Sequence, residues 1–208
     1  MEKTRIACAA SNFLVGRPLG MRPQAIVLHR TGGTVEQIRV RFLDGATTIL
    51  AHYVIAKDGT VFQYVGEQDT AFHAGLAINS TWTGLKPNVN SNFYTLGIEL
   101  EGSPDDPVPD EQSDACAALV AEVAARCNIP IDEDHIVLHS EIRASRNCPG
   151  TASRAAISFS GRCCVRAPRP RSRRLAKSTF SRIRTSARVC RPPRRELSLC
   201  CAPAARHA

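Results

Sequence analysis

The chain has 208 residues, with 27 Lys+Arg against 19 Asp+Glu and a formal net charge of +8. That length suits one domain with an appendage and is enough to bury a sizeable core. A hydrophobic fraction of 43% argues against global disorder. No apolar run approaches the roughly 18 residues of a membrane-spanning helix, and nine scattered cysteines do not make a small disulfide-stapled scaffold. The charge is unevenly divided: residues 151–208 hold 15 Lys+Arg against the single acid Glu196, whereas residues 1–150 hold 12 bases against 18 acids, so the two parts carry +14 and −6.

In chain order, Met1–Cys8 carries charge with no apolar core behind it, since Asn12 and Arg17 interrupt the stretch. It does not read as a secretory signal, and the expected compartment is the cytoplasm, where thiols stay reduced. Residues 25–28, Ala-Ile-Val-Leu, predict a buried strand running into His29. Thr34 is a candidate helix cap before Val35, Ile38 and Phe42, which recur at helical spacing until Asp44-Gly45. Residues 47–56 and Thr60–Val65 predict a β-hairpin around Lys57-Asp58-Gly59, where Asp-Gly suits the positive φ angles of a tight turn. Residues 75–94 read as a long polar loop of functional length. Thr95–Leu100 is the next strand. Asp110 is expected to cap a helix whose apolar face is Cys116, Leu119, Val120, Val123 and Cys127, stopped by Asn128 and Pro130. Ile136-Val-Leu138 is a last strand, entering His139.

Strands interleaved with helices predict an α/β fold over residues 1–150, with a single mixed β-sheet flanked by helices. From residue 151 the periodicity fades, and the sequence reads as a disordered C-terminal tail in which only Ala155–Phe159 could form a short helix. Three readings of that tail compete. An arginine-rich tail could bind an anionic polymer, either nucleic acid or an acidic wall glycopolymer. Its cysteines could form a second metal site, although Cys163-Cys164 and Cys200-Cys201 lack the C-x₂-C spacing. The abrupt shift to Arg, Pro, Ala, Ser and Cys also matches GC-rich DNA read out of frame.

Two Ile-Val-Leu-His segments end at His29 and His139, and Cys148 follows nine residues after the second. Two imidazoles and a thiolate make a three-ligand zinc site with one open position, the mark of a catalytic rather than a structural site. On spacing alone, a buried core histidine and a filler cysteine are the commoner explanation. Several ordered segments add to it: Ala25-Ile-Val-Leu-His29, Ala51-His-Tyr-Val-Ile-Ala-Lys-Asp-Gly-Thr60, Asp69-Thr-Ala-Phe-His-Ala-Gly75, Leu96-Gly-Ile-Glu-Leu-Glu-Gly102, and His139-Ser-Glu-Ile with Cys148-Pro-Gly150. In this order they resemble the zinc-dependent N-acetylmuramoyl-L-alanine amidases, the family of phage lysozyme-type amidases, recycling amidases and peptidoglycan-recognition proteins. The resemblance runs from about Asn12 to Gly150.

That resemblance implies that His29, His139 and Cys148 bind Zn²⁺, and that the substrate is the amide between N-acetylmuramic acid and L-alanine in peptidoglycan or muropeptides. It implies Glu99 as the general base. Strand alternation puts Glu99 and Glu101 on one face, where both could also be simple solvent-exposed positions. The family often carries a lysine two residues before the third ligand; here that residue is Arg146, which could stabilise a developing oxyanion or be a solvated loop charge. Phage-type members carry a tyrosine where this chain has Ala51, which shifts the burden to Glu99. His73 is expected to contact substrate, with Trp82 and Asn92 as further candidates. His52 is expected to support the sheet or the metal ligands from behind; His135 and His207 have no motif support. The expected protein is a monomeric enzyme, either a cytosolic recycling amidase or a released phage-type lysin. The alternatives are a non-catalytic peptidoglycan-binding module and a nucleic-acid binder acting through the tail alone.

Overall fold

In chain order the protein forms β1 (Thr4–Arg5), β2 (Phe13–Leu14), β3 (Ala25–Arg30), α1 (Val35–Leu43), β4 (Tyr53–Ile55), β5 (Val61–Gln63), β6 (Thr70–Ala71), β7 (Thr95–Leu100), α2 (Asp110–Cys127), β8 (Ile136–Leu138) and α3 (His139–Ile142), with short 3-10 turns between. These elements come from a computed structural model that describes residues 1–150. The readings of the tail, including the Ala155–Phe159 helix, lie outside the described residues.

Six strands form one sheet in the order β1-β5-β4-β7-β3-β8. Strands β4, β7, β3 and β8 are mutually parallel, and β5 returns antiparallel to β4 as the hairpin predicted. The sheet is therefore mixed. A separate two-stranded pair, β2–β6, was not expected; strands of two residues leave no periodicity to read.

The centre of the sheet explains its sequence. β3 is buried along its whole length, as expected of a parallel strand covered on both faces. Ile26, Leu28, Ile98 and Leu100 point to one side and pack with Cys116, Leu119, Val120 and Val123 of α2. Burying side chains of this kind contributes about 1.5–3 kcal/mol each, so this contact anchors the sheet. On the other face, Ile38 and Phe42 of α1 pack with Val54, Leu50 and Ala51. Alternation then places His29 and Glu99 on the face opposite α2.

Local chemistry sets the element ends. Thr34 accepts the Gln37 backbone N–H, and the Gln37 side chain answers with a bond to the Thr34 N–H, a capping box at the start of α1. Asp110 was expected to cap α2 but is its first helical residue, after Pro109; there its carboxylate faces the positive end of the helix dipole. Asn128 ends α2 in the left-handed region, φ 54° and ψ 46°. In the hairpin only Gly59 has positive φ, at +84°. Its N–H bonds the Ala56 carbonyl, and the Ala56 N–H bonds the Thr60 carbonyl, so the connection is a turn followed by a one-residue bulge rather than a two-residue turn. The strand expected over 47–56 is shorter. The chain turns at Thr48, with φ +45°, and Leu50 donates to the Phe72 carbonyl before β4 begins. No helix among the described residues is long and apolar enough to cross a membrane.

Candidate metal centre and catalytic cleft

The two Ile-Val-Leu-His segments lie side by side. In the β3–β8 ladder Ile26 faces Ile136, Val27 faces Val137 and Leu28 faces Leu138, so His29 and the first residue of α3, His139, emerge at the same level. Their Nδ1 atoms are 3.1 Å apart. Cys148 is brought in by the segment after α3. Its carbonyl accepts the Ser140 N–H at 2.8 Å, and its Sγ accepts the Arg30 N–H at 3.1 Å. One ligand atom from each of His29, His139 and Cys148 lies within 4.8 Å of the others.

Two nitrogens bound to one tetrahedral zinc, each about 2.0–2.1 Å from it, sit about 3.3 Å apart; the observed separation matches this. The electrostatics agree. Burial, then His139 and His73, holds the His29 imidazole well below its ordinary range. Burial, then Arg146 and Arg143, brings His139 down to about 4. Both rings are therefore neutral near pH 7, the form that ligates a metal. Burial, with Glu99 second, pushes the Cys148 thiol up to about 12. A cation at this point would reverse that shift and favour the thiolate. Two neutral imidazoles and a thiol that ionises only beside a cation form a donor set suited to zinc.

Glu99 faces His29 directly across the β3–β7 ladder. Its Oε2 is buried with no hydrogen-bond partner among the described residues, and burial raises its carboxyl to about 8 against a weaker opposing effect of Arg41. Glu101, two residues on and half-buried, differs completely. Its carboxylate accepts the Val35 N–H at 3.0 Å and the Lys57 N–H at 2.9 Å, tying the start of α1 to the β4–β5 hairpin. Glu101 is thus neither reactive nor merely solvated; it closes two backbone donors.

A cavity of about 600 Å³ opens over these groups. Its lining includes the three candidate ligands, Glu99, His73, Asn92 and the arginines Arg30, Arg41, Arg143 and Arg146. Arg146 therefore stands at the cavity, exposed, with its charge felt at His139. Asn92 also lines it, but its Oδ1 accepts three backbone N–H groups, from His73, Ala74 and Gly75, at 2.8–3.2 Å. That oxygen holds the loop and is not free for a substrate. Trp82, expected at the substrate, is not brought to the cavity. Its indole stacks on Tyr94 with ring centroids 5.7 Å apart and donates to the Asp134 carbonyl at 2.7 Å, because its apolar ring completes a cluster with Val27, Val137 and Ile142. His52 is fully buried behind the site. It accepts the Gly97 N–H at Nδ1 and faces the Asp69 carbonyl with Nε2, and burial brings it to about 3.

Sequence reasoning missed Arg143 and Arg41. Arg143 follows directly on the His139-Ser-Glu-Ile segment and has a buried Nε without a partner among the described residues. Nothing in its local pattern distinguishes it from a surface charge; only the fold turns it to the cavity.

A family model described as N-acetylmuramoyl-L-alanine amidase matches residues 19–151. The chain is 35% identical over 98 residues to the 1,6-anhydro-N-acetylmuramyl-L-alanine amidase AmpD of Haemophilus influenzae, a match that covers 47% of this chain and 50% of that protein. The chain thus spans about half the length of the curated relatives it matches. Among solved structures, a selenomethionine derivative of AmpD superposes with a TM-score of 0.60 at 22% identity, over 76% of this chain and 95% of that one. The N-acetylmuramoyl-L-alanine amidase LysC from Clostridium intestinale URNW gives 0.52 at 20% identity, over 73% and 91%. At such identities the structural likeness is one of fold.

Proposed function

The chain belongs to the N-acetylmuramoyl-L-alanine amidase family, and we propose that it hydrolyses the amide between the lactyl group of N-acetylmuramic acid and L-alanine in peptidoglycan or a muropeptide. The observation that carries this is the convergence of His29, His139 and Cys148 in one cavity with a buried carboxyl, Glu99, whose Oε2 has no partner among the described residues.

His29, His139 and Cys148 would hold Zn²⁺. When bound, the metal supplies Lewis acidity toward the scissile carbonyl. The chain supplies the proton transfers and the charge. Glu99 takes a proton from the attacking water as the new C–O bond forms, then returns it to the departing amine as the C–N bond breaks. A carboxyl near neutral pKa serves both directions, because it neither binds the proton too tightly nor releases it too readily. Oε2 is available because no donor among the described residues claims it. Arg146 provides a fixed positive charge at the cavity for the oxygen that becomes negative. Asn92 keeps the His73–Gly75 wall in place.

Two variants test the assignment. Cys148→Ala is expected to lose zinc, and Glu99→Ala to keep zinc and lose turnover. Full zinc occupancy in Cys148→Ala would overturn the ligand set; unchanged turnover in Glu99→Ala would overturn the base. Comparing wall sacculi with soluble anhydro-muropeptides then separates a lytic enzyme from a recycling one.

A further inference from the structure

A line of hydrogen bonds runs behind His29. The Thr95 hydroxyl donates to the Ser91 carbonyl at 2.7 Å, in the buried interior. Its hydrogen is thereby committed, so Thr95 Oγ1 can only accept from His73 Nε2, 3.2 Å away. A neutral imidazole that donates through one nitrogen accepts through the other. His73 Nδ1 is therefore an acceptor, and it faces His29 Nε2 at 3.0 Å. His29 must then carry its proton on Nε2. Its Nδ1 lone pair is left facing His139 Nδ1, 3.1 Å away, within the group formed with Cys148.

The surroundings hold His73 to this geometry. A Cβ at position 97 would lie 2.5 Å from His73 Cγ, so only glycine lets the ring lie against β7. The His73 backbone N–H is tied to Asn92. The rings of His29 and His73 meet edge to face, with centroids 5.2 Å apart.

We infer that the Ser91 carbonyl, Thr95 and His73 form a relay that sets the tautomer of His29, which makes His73 a positioning residue for a metal ligand rather than a substrate contact. The relay rests on the zinc reading only in its last step, that Nδ1 is the ligating nitrogen. Metal-bound histidines are generally oriented through their second nitrogen, and losing such a partner costs about 10–100-fold in metal affinity.

The test uses the full chain in two measurements. Nitrogen-15 NMR of the imidazoles after chelation should show His29 protonated at Nε2; a proton on Nδ1 would overturn the relay. Zinc affinity, measured by competition with a chromophoric chelator, should fall about 10–100-fold in Thr95→Val and in His73→Phe. It should largely recover in Thr95→Ser, which restores the hydroxyl, and in His73→Asn, whose side-chain carbonyl can stand in for Nδ1. A purely structural role would not separate Val from Ser at position 95. Equal zinc affinity in Thr95→Val, His73→Phe and the parent would overturn the relay. A parent chain that shows the Nε2 proton on His29 yet takes up no zinc would uphold the relay and sink the zinc reading instead.

Discussion

Replacing Glu99 by glutamine should stabilise the metal-free protein, and by an amount that grows with pH. The folded carboxyl is raised from 4.5 to about 8, mainly by burial. The native state therefore keeps a proton that the unfolded chain releases above pH 4.5, and each unit of pH beyond that point costs about 1.4 kcal/mol of stability. The cost stops growing once the folded group itself ionises, near pH 8. Glutamine is nearly isosteric and does not titrate, so it escapes the cost. At about pH 6.5, allowing for a partly solvated cavity mouth, the gain is about 2 kcal/mol, or about 4–8 °C in Tm for a chain of this size. The assay is thermal unfolding of the chelated parent and the chelated Glu99→Gln protein at several pH values from about 4.5 to about 8. Equal melting temperatures across that range would show that the Glu99 carboxyl is ordinarily hydrated and not desolvated by the fold.

Three further outcomes rest on the same geometry. Arg146→Ala should lower turnover about 10²–10³-fold with zinc content intact, and Arg146→Lys should restore most of it, as expected of a charge that acts on the transition state; steady-state kinetics beside metal analysis checks this. Glu101→Ala should cost about 1–3 kcal/mol in denaturant unfolding, because two backbone donors lose their acceptor, while turnover per folded molecule stays unchanged. His52 is held near 3 in the fold against 6.5 outside it. Its contribution is present above pH 6.5 and is lost as pH falls toward 3, at about 1.4 kcal/mol per unit. The slope of unfolding free energy between about pH 6.5 and 4.5 should thus be shallower by about one proton in His52→Gln.

Much of the site was readable from the sequence where one short-range rule decided the outcome. The repeated Ile-Val-Leu-His segments became neighbours because two buried parallel strands with the same pattern pair in register. Alternation put Glu99 on the face away from α2. What alternation could not decide was how Glu99 and Glu101 divide their roles. That depends on two backbone N–H groups, of Val35 and Lys57, brought to Glu101 from distant segments. That Trp82 lies away from the cavity, and that Asn92 spends its Oδ1 on backbone, was hidden for a related reason. An asparagine that caps a turn and a tryptophan that fills a core look, in sequence, like polar and aromatic groups on a functional loop. The relay behind His29 was equally hidden, since it joins Thr95 and His73 across 22 positions.

The most direct measurement is release of the peptide amine from a muramoyl-L-alanyl peptide by the full chain, chelated and then reloaded with one equivalent of zinc. No release is expected after chelation, and restored release with zinc is expected in the parent but not in Cys148→Ala. Absence of release by the zinc-loaded parent, on soluble muropeptides and on wall sacculi alike, would contradict it and leave a peptidoglycan-binding module in place of the enzyme.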